Sequence, residues 1–124
     1  MLRLAIPVLH VSSSAAAEAF YARLGFRALW AYRPDESLPD PCYMGVGRDG
    51  VTLHLSSFSG DGVAGGVVFL LVDGVDDVDT LHAELVARGV PIHLAPTDQT
   101  WGNREMYVKD PDGNSIRFTR EAGG

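Results

Sequence analysis

The most constraining feature of this sequence is an internal repeat in the order of its hydrophobic patterns. About residues 1–58 read as a strand, a helix and three strands, and about residues 67–122 read the same way. The stretch Asp49–Leu55 matches Asp112–Phe118 position by position, as a duplicated unit would. A half of this kind forms a curved sheet that cannot bury both of its faces alone. We therefore predict an α+β fold in which two βαβββ modules, from one chain or from two, surround a cleft.

A glycine-rich segment separates the two halves. Residues 59–66 contain four glycines and read as a linker. The chain of 124 residues is one domain's worth of sequence, enough to bury a core without disulfides or metals. We predict a single domain over residues 1–124, with module one at about 1–58 and module two at about 67–122.

Local patterns predict the elements within each half. Alternation from Leu2 to Leu9 favours a mostly buried first strand, although Pro7 cannot donate a ladder hydrogen bond. The segment Val90–Leu94 is predicted as a strand of the second half. The residues expected on one face of the second strand are Phe26, Ala28, Trp30 and Tyr32. The residues expected in the buried stripe of the second helix are Val78, Leu81, Leu85 and Val86.

Charge and composition exclude several classes of function. The net charge is −6, which disfavours nucleic acid as a partner and is compatible with a cationic ligand. No apolar run is long enough to span a membrane, and Ser12–Ser14 interrupt the N-terminus too early for a secretion signal. Cys42 is the only cysteine, so no disulfide can form within the chain. We expect a cytoplasmic protein.

The C-terminal hairpin carries a resemblance to a known family. Trp101–Glu105 reads Trp-Gly-x-Arg-Glu, and Asp110–Phe118 reads Asp-Pro-Asp-Gly-Asn-x-Ile-x-Phe. Together they resemble the closing hairpin of bleomycin-resistance proteins, within the glyoxalase/bleomycin-resistance group or vicinal oxygen chelate superfamily. Phe20–Phe26 is similar to the first helix of that group. The resemblance covers the whole chain and implies curved mixed sheets, a homodimer whose halves are exchanged between chains in some members, and clefts between facing sheets.

Many members of this superfamily are metalloenzymes, and their ligand positions can be carried over to this chain. The resemblance places them near Ile6, at His54, near Val67 and at Arg117. Two aliphatic residues, one cation and one histidine cannot hold a divalent ion, because a site needs three or four converging donors. We therefore expect no metal and no cofactor, and the Trp101-Gly102 pair points to the drug-binding, metal-free branch. An isolated histidine such as His54 is more often a hydrogen-bonded structural group than a ligand.

Without metal positions the cleft becomes a binding site lined by aromatic rings. Flat rings stack on planar ligands and hold cations, at about 0.5–2 kcal/mol for each contact. The resemblance implies that Trp101 stacks on a planar drug and that the loop from Tyr32 to Leu38 forms the opposite wall. No catalytic residue is predicted. The predicted ligand-binding residues are Trp30, Tyr32, Leu38, Tyr43, His54, Phe58, Trp101, Gly102, Tyr107 and Arg117.

These observations favour an antibiotic-binding resistance protein that sequesters a planar, cationic drug without modifying it. Two alternatives of another class stay open. One is a metal-dependent glyoxalase, dioxygenase or thiol transferase in which His54 is one of the ligands. The other is a metal-free isomerase or lyase in which His54 is the base and Arg117 binds an anion.

Overall fold

The computed structural model describes residues 1–123, and its elements repeat in the predicted order. The first module contains β1 (Val8–His10), α1 (Ser14–Arg23), β2 (Arg27–Tyr32), β3 (Tyr43–Arg48) and β4 (Val51–Ser56). The second module contains β5 (Val67–Leu71), α2 (Asp77–Ala87), β6 (Leu94–Asp98), β7 (Arg104–Lys109) and β8 (Ser115–Arg120). Neither helix within these residues combines the length and hydrophobicity needed to cross a bilayer.

Each module contributes one four-stranded mixed sheet. The strand orders are β1-β4-β3-β2 and β5-β8-β7-β6. The pairs β1–β4 and β5–β8 are parallel, and the remaining pairs are antiparallel. The α+β class and the two βαβββ modules predicted from the repeat are therefore confirmed.

One face of each sheet packs against the helix of its own module to form the core. In β4, Leu53 and Leu55 are buried, whereas His54 between them points to the opposite face. The core residues from the sheets are Leu9, Met44, Val46, Leu53, Leu55, Val68, Met106, Val108, Ile116 and Phe118, and those from the helices are Ala17, Phe20, Tyr21, Val78 and Leu85. We call the opposite face of each sheet, which no helix covers, its open face.

Two predicted strands have different bounds. β1 begins at Val8 rather than Leu2, because only the last residues of this segment pair with β4, while Met1, Leu2 and Leu4 are exposed. The strand expected at Val90–Leu94 lies instead at Leu94–Asp98, where it pairs with β7 despite containing a proline. Proline is tolerated there because β6 is an edge strand, which has one unpaired side.

Two predicted faces were also partly wrong. Leu29 is an extra residue in the pairing of β2 with β3, so the face of the strand reverses between Ala28 and Trp30. Phe26 is consequently buried in the core, while Trp30 and Tyr32 lie on the open face. In α2, Val86 is exposed rather than part of the buried stripe.

Candidate functional site

An aromatic cluster covers part of the open face of the first sheet. The rings of Trp30 and Tyr43 are stacked with centroids 5.9 Å apart, and the ring of His54 meets both edge-on. The Tyr43 hydroxyl and His54 Nδ1 are hydrogen-bonded at 2.9 Å. Tyr32 and Phe58 form a second stack, with centroids 6.3 Å apart. We call these five residues the first aromatic cluster, and all five belong to the predicted ligand-binding set.

The position of Trp30 depends on a glycine in the neighbouring strand. Trp30 pairs with Gly45 across β2 and β3, and its indole lies directly over that residue. A Cβ atom built on Gly45 would lie 2.8 Å from Cε2 of Trp30, which is closer than any stable contact. The bulge at Leu29 turns the indole to the open face, and the missing side chain at Gly45 lets it lie flat there.

A second cluster lies on the open face of the second sheet. The guanidinium carbon of Arg117 is 4.4 Å from the ring centroid of Tyr107 and 5.6 Å from that of Phe69. These distances are typical of cation–π contacts. Glu105 and Trp101 adjoin this group, because the Trp101 indole Nε1 donates to Glu105 Oε2 at 3.2 Å. We call these five residues the second cluster.

Glu105 organises the second cluster through three side-chain donors. Its carboxylate accepts hydrogen bonds from Tyr107 Oη, Asn103 Nδ2 and Trp101 Nε1. Burial by itself raises the pKa of this carboxyl, but the three donors and the charge of Arg117 outweigh it and hold the pKa below its usual value. Glu105 is thus an anion that fixes the indole of Trp101 and the hydroxyl of Tyr107.

The last two predicted site residues lie in loops between strands. Leu38 is half exposed in the loop between β2 and β3. Gly102 has a φ of +99°, and a Cβ atom on it would lie 2.7 Å from the Cβ of Ala122. Glycine is required at this position because both the backbone angle and the close contact exclude a side chain.

Two members of these clusters, Glu105 and Phe69, and the supporting residue Gly45 were absent from the predicted set. Alternation along β7 places Glu105 on the same face as Tyr107, so its position could have been found from the sequence. Phe69 and Gly45 could not, because their places beside Arg117 and Trp30 depend on strand pairing. The ten residues predicted to bind a ligand stay a prediction, and the structure divides most of them between the two clusters.

The single chain leaves both open faces uncovered. Trp30 is 45% exposed, Phe69 52% and Trp101 60%, which is high for large apolar side chains. Hydrogen bonds between the modules involve helices, turns and the ends of β1 and β3, and none in residues 1–123 joins the two clusters. Two grooves of about 450 and 680 Å³ lie elsewhere on the chain, and neither is lined by a predicted site residue.

The strand pairing tests whether the expected metal positions suit an ion. The cross-strand neighbour of His54 is Val8, and that of Arg117 is Phe69. Neither neighbour is a ligand, and a guanidinium is a permanent cation that repels a metal. Within the described part of the chain, no three His, Cys, Asp or Glu side chains converge as metal ligands would. These residues do not fit the metal centre found in many members of the superfamily.

Sequence comparison assigns the whole chain to one family model. A model described as glyoxalase superfamily protein matches residues 1–124. No functionally curated protein is similar enough in sequence to count as a match.

Solved structures with the same fold include both binding proteins and an enzyme. A bleomycin-binding protein complexed with bleomycin is 23% identical, covers 97% of this chain and 99% of its own, and superposes with a TM-score of 0.75. A glyoxalase/bleomycin resistance protein/dioxygenase superfamily member from Sphaerobacter thermophilus is 24% identical, with 98% coverage of both chains and a TM-score of 0.74. Lactoylglutathione lyase from Agrobacterium tumefaciens is 19% identical, with coverages of 95% and 92% and a TM-score of 0.74. At these identities the likeness shows the fold alone.

Proposed function

This chain belongs to the glyoxalase superfamily, and on that premise we propose that it is a cytoplasmic antibiotic-binding protein. It sequesters a planar, cationic drug of the bleomycin type or a similar natural product, and it leaves the drug chemically unchanged. One observation carries this proposal: the first aromatic cluster and the second cluster present partly exposed rings on the open faces. A metal-dependent enzyme would need metal ligands on these faces instead.

The clusters have the properties of a surface that binds planar rings. Trp30 and Trp101 expose about half of their area or more, although each is held in place by neighbours. A planar ring system stacked on either indole gains about 0.5–1.5 kcal/mol beyond the area that it buries. The rings of Trp30 and Tyr43, the anionic Glu105 and the net charge of −6 all favour a ligand with a positive group.

A homodimer would complete the site. Large apolar side chains remain exposed on both open faces, and patches of this kind mark surfaces that a partner covers. In the dimer we propose, the open face of the first sheet of one chain is turned toward the open face of the second sheet of its partner. The two aromatic clusters then form opposite walls of one cleft, and two such clefts arise by symmetry.

The fold comparison supports this proposal at the level of the superfamily. One structure with the same fold is a bleomycin-binding protein that holds bleomycin, and another is a bleomycin resistance determinant encoded on the transposon Tn5. A lactoylglutathione lyase shares the fold equally well, so a metal-dependent enzyme is the second candidate.

Calorimetry with planar antibiotics tests the proposal. We expect bleomycin-type glycopeptides, enediynes or mitomycin-like drugs to include a ligand that binds more tightly than the weak micromolar range. Trp30→Ala and Trp101→Ala should each weaken binding about 10-fold, whereas Val86→Ala, an exposed apolar change on α2, should not. Mass spectrometry of the recovered drug should find it unmodified. No binding by any planar antibiotic, or a modified drug, contradicts the proposal.

Metal analysis distinguishes the proposed binding protein from a metal-dependent enzyme. Protein purified without chelators should contain no stoichiometric nickel, zinc, manganese or iron. A full equivalent of any of them, lost in His54→Ala, would instead support the enzyme. His54→Ala also tests the metal-free isomerase or lyase, because in such an enzyme this variant would lose turnover and still bind its ligand.

A further inference from the structure

Arg117 is a half-buried cation whose hydrogen-bonding capacity is unused. Its Nε is shielded from solvent and has no hydrogen-bond partner. Within residues 1–123 no carboxylate lies within ion-pair distance of its guanidinium. Leaving a buried donor unpaired costs about 1–3 kcal/mol, so such a group in a folded protein calls for an explanation.

Other arginines of the chain show what a satisfied guanidinium looks like here. Arg48 binds both carboxylate oxygens of Glu84, at 2.7 and 3.2 Å. Arg104 binds both oxygens of Asp79 and one of Asp98. Arg117 has no equivalent acceptor, although it is less accessible than a surface arginine and is held between two rings.

The acid of the second cluster does not serve as that acceptor. Glu105 faces Arg117 from the neighbouring strand, but its two oxygens receive hydrogen bonds from Tyr107, Asn103 and Trp101. Tyr107 and Phe69 meanwhile hold the guanidinium by their ring faces and leave its N–H groups free. The cation is therefore fixed in orientation and lacks only an oxygen acceptor.

We propose that Arg117 binds an anionic oxygen group, such as a carboxylate or a sulfonate, attached to the aromatic ring system of the ligand. A guanidinium presents paired N–H donors that match the two oxygens of such a group. The positive charge thus stands where the superfamily resemblance would place a metal ligand, and it attracts the anionic part of the ligand directly. This inference rests on the proposed function and adds that the ligand carries an acidic group beside its cationic one.

Two fluorescent probes with the same rings test the inference. The probes are 8-anilinonaphthalene-1-sulfonate and N-phenyl-1-naphthylamine, which is the same ring system without the sulfonate. We expect the wild-type protein to bind the sulfonate, and Arg117→Met to weaken this binding about 10- to 100-fold. The same substitution should change the affinity for the neutral amine by less than about threefold.

The controls separate a local contact from net charge and from misfolding. Arg3→Met removes one exposed positive charge from outside both sheets and should leave both affinities unchanged. Arg117→Lys keeps the charge but loses the paired donors, so its affinity for the sulfonate should fall between those of the wild type and Arg117→Met. Salt should weaken wild-type binding of the sulfonate and not of the amine, and this measurement needs no variant.

The outcomes distinguish this inference from the proposed function. Three results would overturn the inference. Arg117→Met could lose equal affinity for both probes, it could lose affinity for neither, or the wild type could fail to bind the sulfonate. If antibiotics bind but Arg117→Met does not selectively weaken binding of the sulfonate, the proposed sequestration stands and the proposed anion site is wrong. If no antibiotic binds but Arg117→Met selectively weakens binding of the sulfonate, the site binds aromatic acids that are not antibiotics.

Discussion

The hydroxyl of Tyr21 donates a buried hydrogen bond of 2.9 Å to the carboxylate of Asp110, 89 residues further along the chain. Asp110 also accepts from the backbone amides of Asp112 and Asn114 and from the Asn114 side chain. Asn114 in turn donates to the carbonyl of His10. The turn between β7 and β8 therefore also joins α1 and β1 of the first module to the second.

Tyr21→Phe should lower the free energy of unfolding by about 1–3 kcal/mol, since it removes one donor from a buried carboxylate. Burial and the charge of Asp110 raise the pKa of Tyr21 far above its usual value, so the hydroxyl remains a donor at any ordinary pH. Urea denaturation measures the change. Tyr32→Phe is the matched control, because Tyr32 is 59% exposed, and it should shift stability by less than about 0.5 kcal/mol. Equal effects of the two substitutions would contradict the role given to Tyr21.

Gly45→Ala should displace the indole of Trp30 without unfolding the sheet. The new methyl group would lie 2.8 Å from Cε2 of Trp30, and the exposed indole can swing away from it. Fluorescence of Trp30, measured with Trp101→Phe as the background, should shift to longer wavelength. Affinity for a planar ligand should fall about 2- to 10-fold, because one stacking surface is lost.

Gly47→Ala is the control for this change. It lies in the same strand, and its new methyl group would meet chiefly the side chain of Leu29, at 3.1 Å. Trp30 fluorescence and ligand affinity should both stay at the wild-type level. A Gly45→Ala variant that behaves like Gly47→Ala would show that the indole does not depend on Gly45.

A double-mutant cycle of Arg48→Met and Glu84→Gln should give a coupling energy of about 1 kcal/mol. Arg48 joins β3 to α2 through two hydrogen bonds with the Glu84 carboxylate, and the same guanidinium donates to the carbonyl of Leu24. Paired contacts of this kind are stronger than ordinary surface ion pairs. The control pair is Arg88 and Glu84, whose closest charged atoms are 3.8 Å apart and which should couple by less than about 0.3 kcal/mol. Coupling energies of equal size in the two cycles would be evidence against a special role for Arg48.

Acid should destabilise the protein, and Glu105→Gln should make it less sensitive to acid. The pKa of Glu105 in the folded protein lies below its usual 4.5, so the unfolded chain takes up a proton first as the pH falls. The stabilisation from the carboxylate is therefore complete above about pH 4.5 and is lost as the pH falls through the lower, folded value. Urea unfolding from about pH 6 to about pH 3 should show a smaller loss of stability in the variant than in the wild type.

The acid effect should be reduced by this substitution and not abolished. Burial raises the pKa of Asp40, but hydrogen bonds from Ser57 and Ser14 outweigh it and hold the pKa below its usual value. Hydrogen bonds from Arg48 likewise lower the pKa of Glu84 and outweigh the effect of burial there. Those carboxyl groups lose their contribution over a similar range of pH. Identical pH profiles of the wild type and Glu105→Gln would show that Glu105 does not contribute.

Much of the fold could be predicted from the sequence, because the relevant signals are local. Leu53, His54 and Leu55 alternate between core and open face as the pleat of a strand requires. Gly50 and Gly113 each follow an aspartate and have positive φ values, which is typical of the Asp-Gly sequence in tight turns. The order of elements followed from such patterns, and the repeat then limited the architecture.

The candidate site was less predictable, because it depends on which strands pair and in what register. One extra residue, Leu29, reverses the face of β2 and carries Trp30 and Tyr32 away from the core, and no local pattern marks it. The sequence did not show which residues lie beside His54 and Arg117, because only strand pairing reveals that these are Val8 and Phe69. The grouping of Trp101, Tyr107 and Arg117 around Glu105 likewise required the folded chain.

The sequence alone determined that the chain forms two βαβββ modules and that their strands carry the aromatic residues Trp30, Tyr32, Tyr43 and Tyr107. Periodicity and turn chemistry act between near neighbours, so they can be recognised without knowing the fold. Only the tertiary structure decided which face each ring occupies and that Arg117 lies unpaired between Tyr107 and Phe69. These features depend on contacts between residues far apart in sequence, whose energies are set by register and packing.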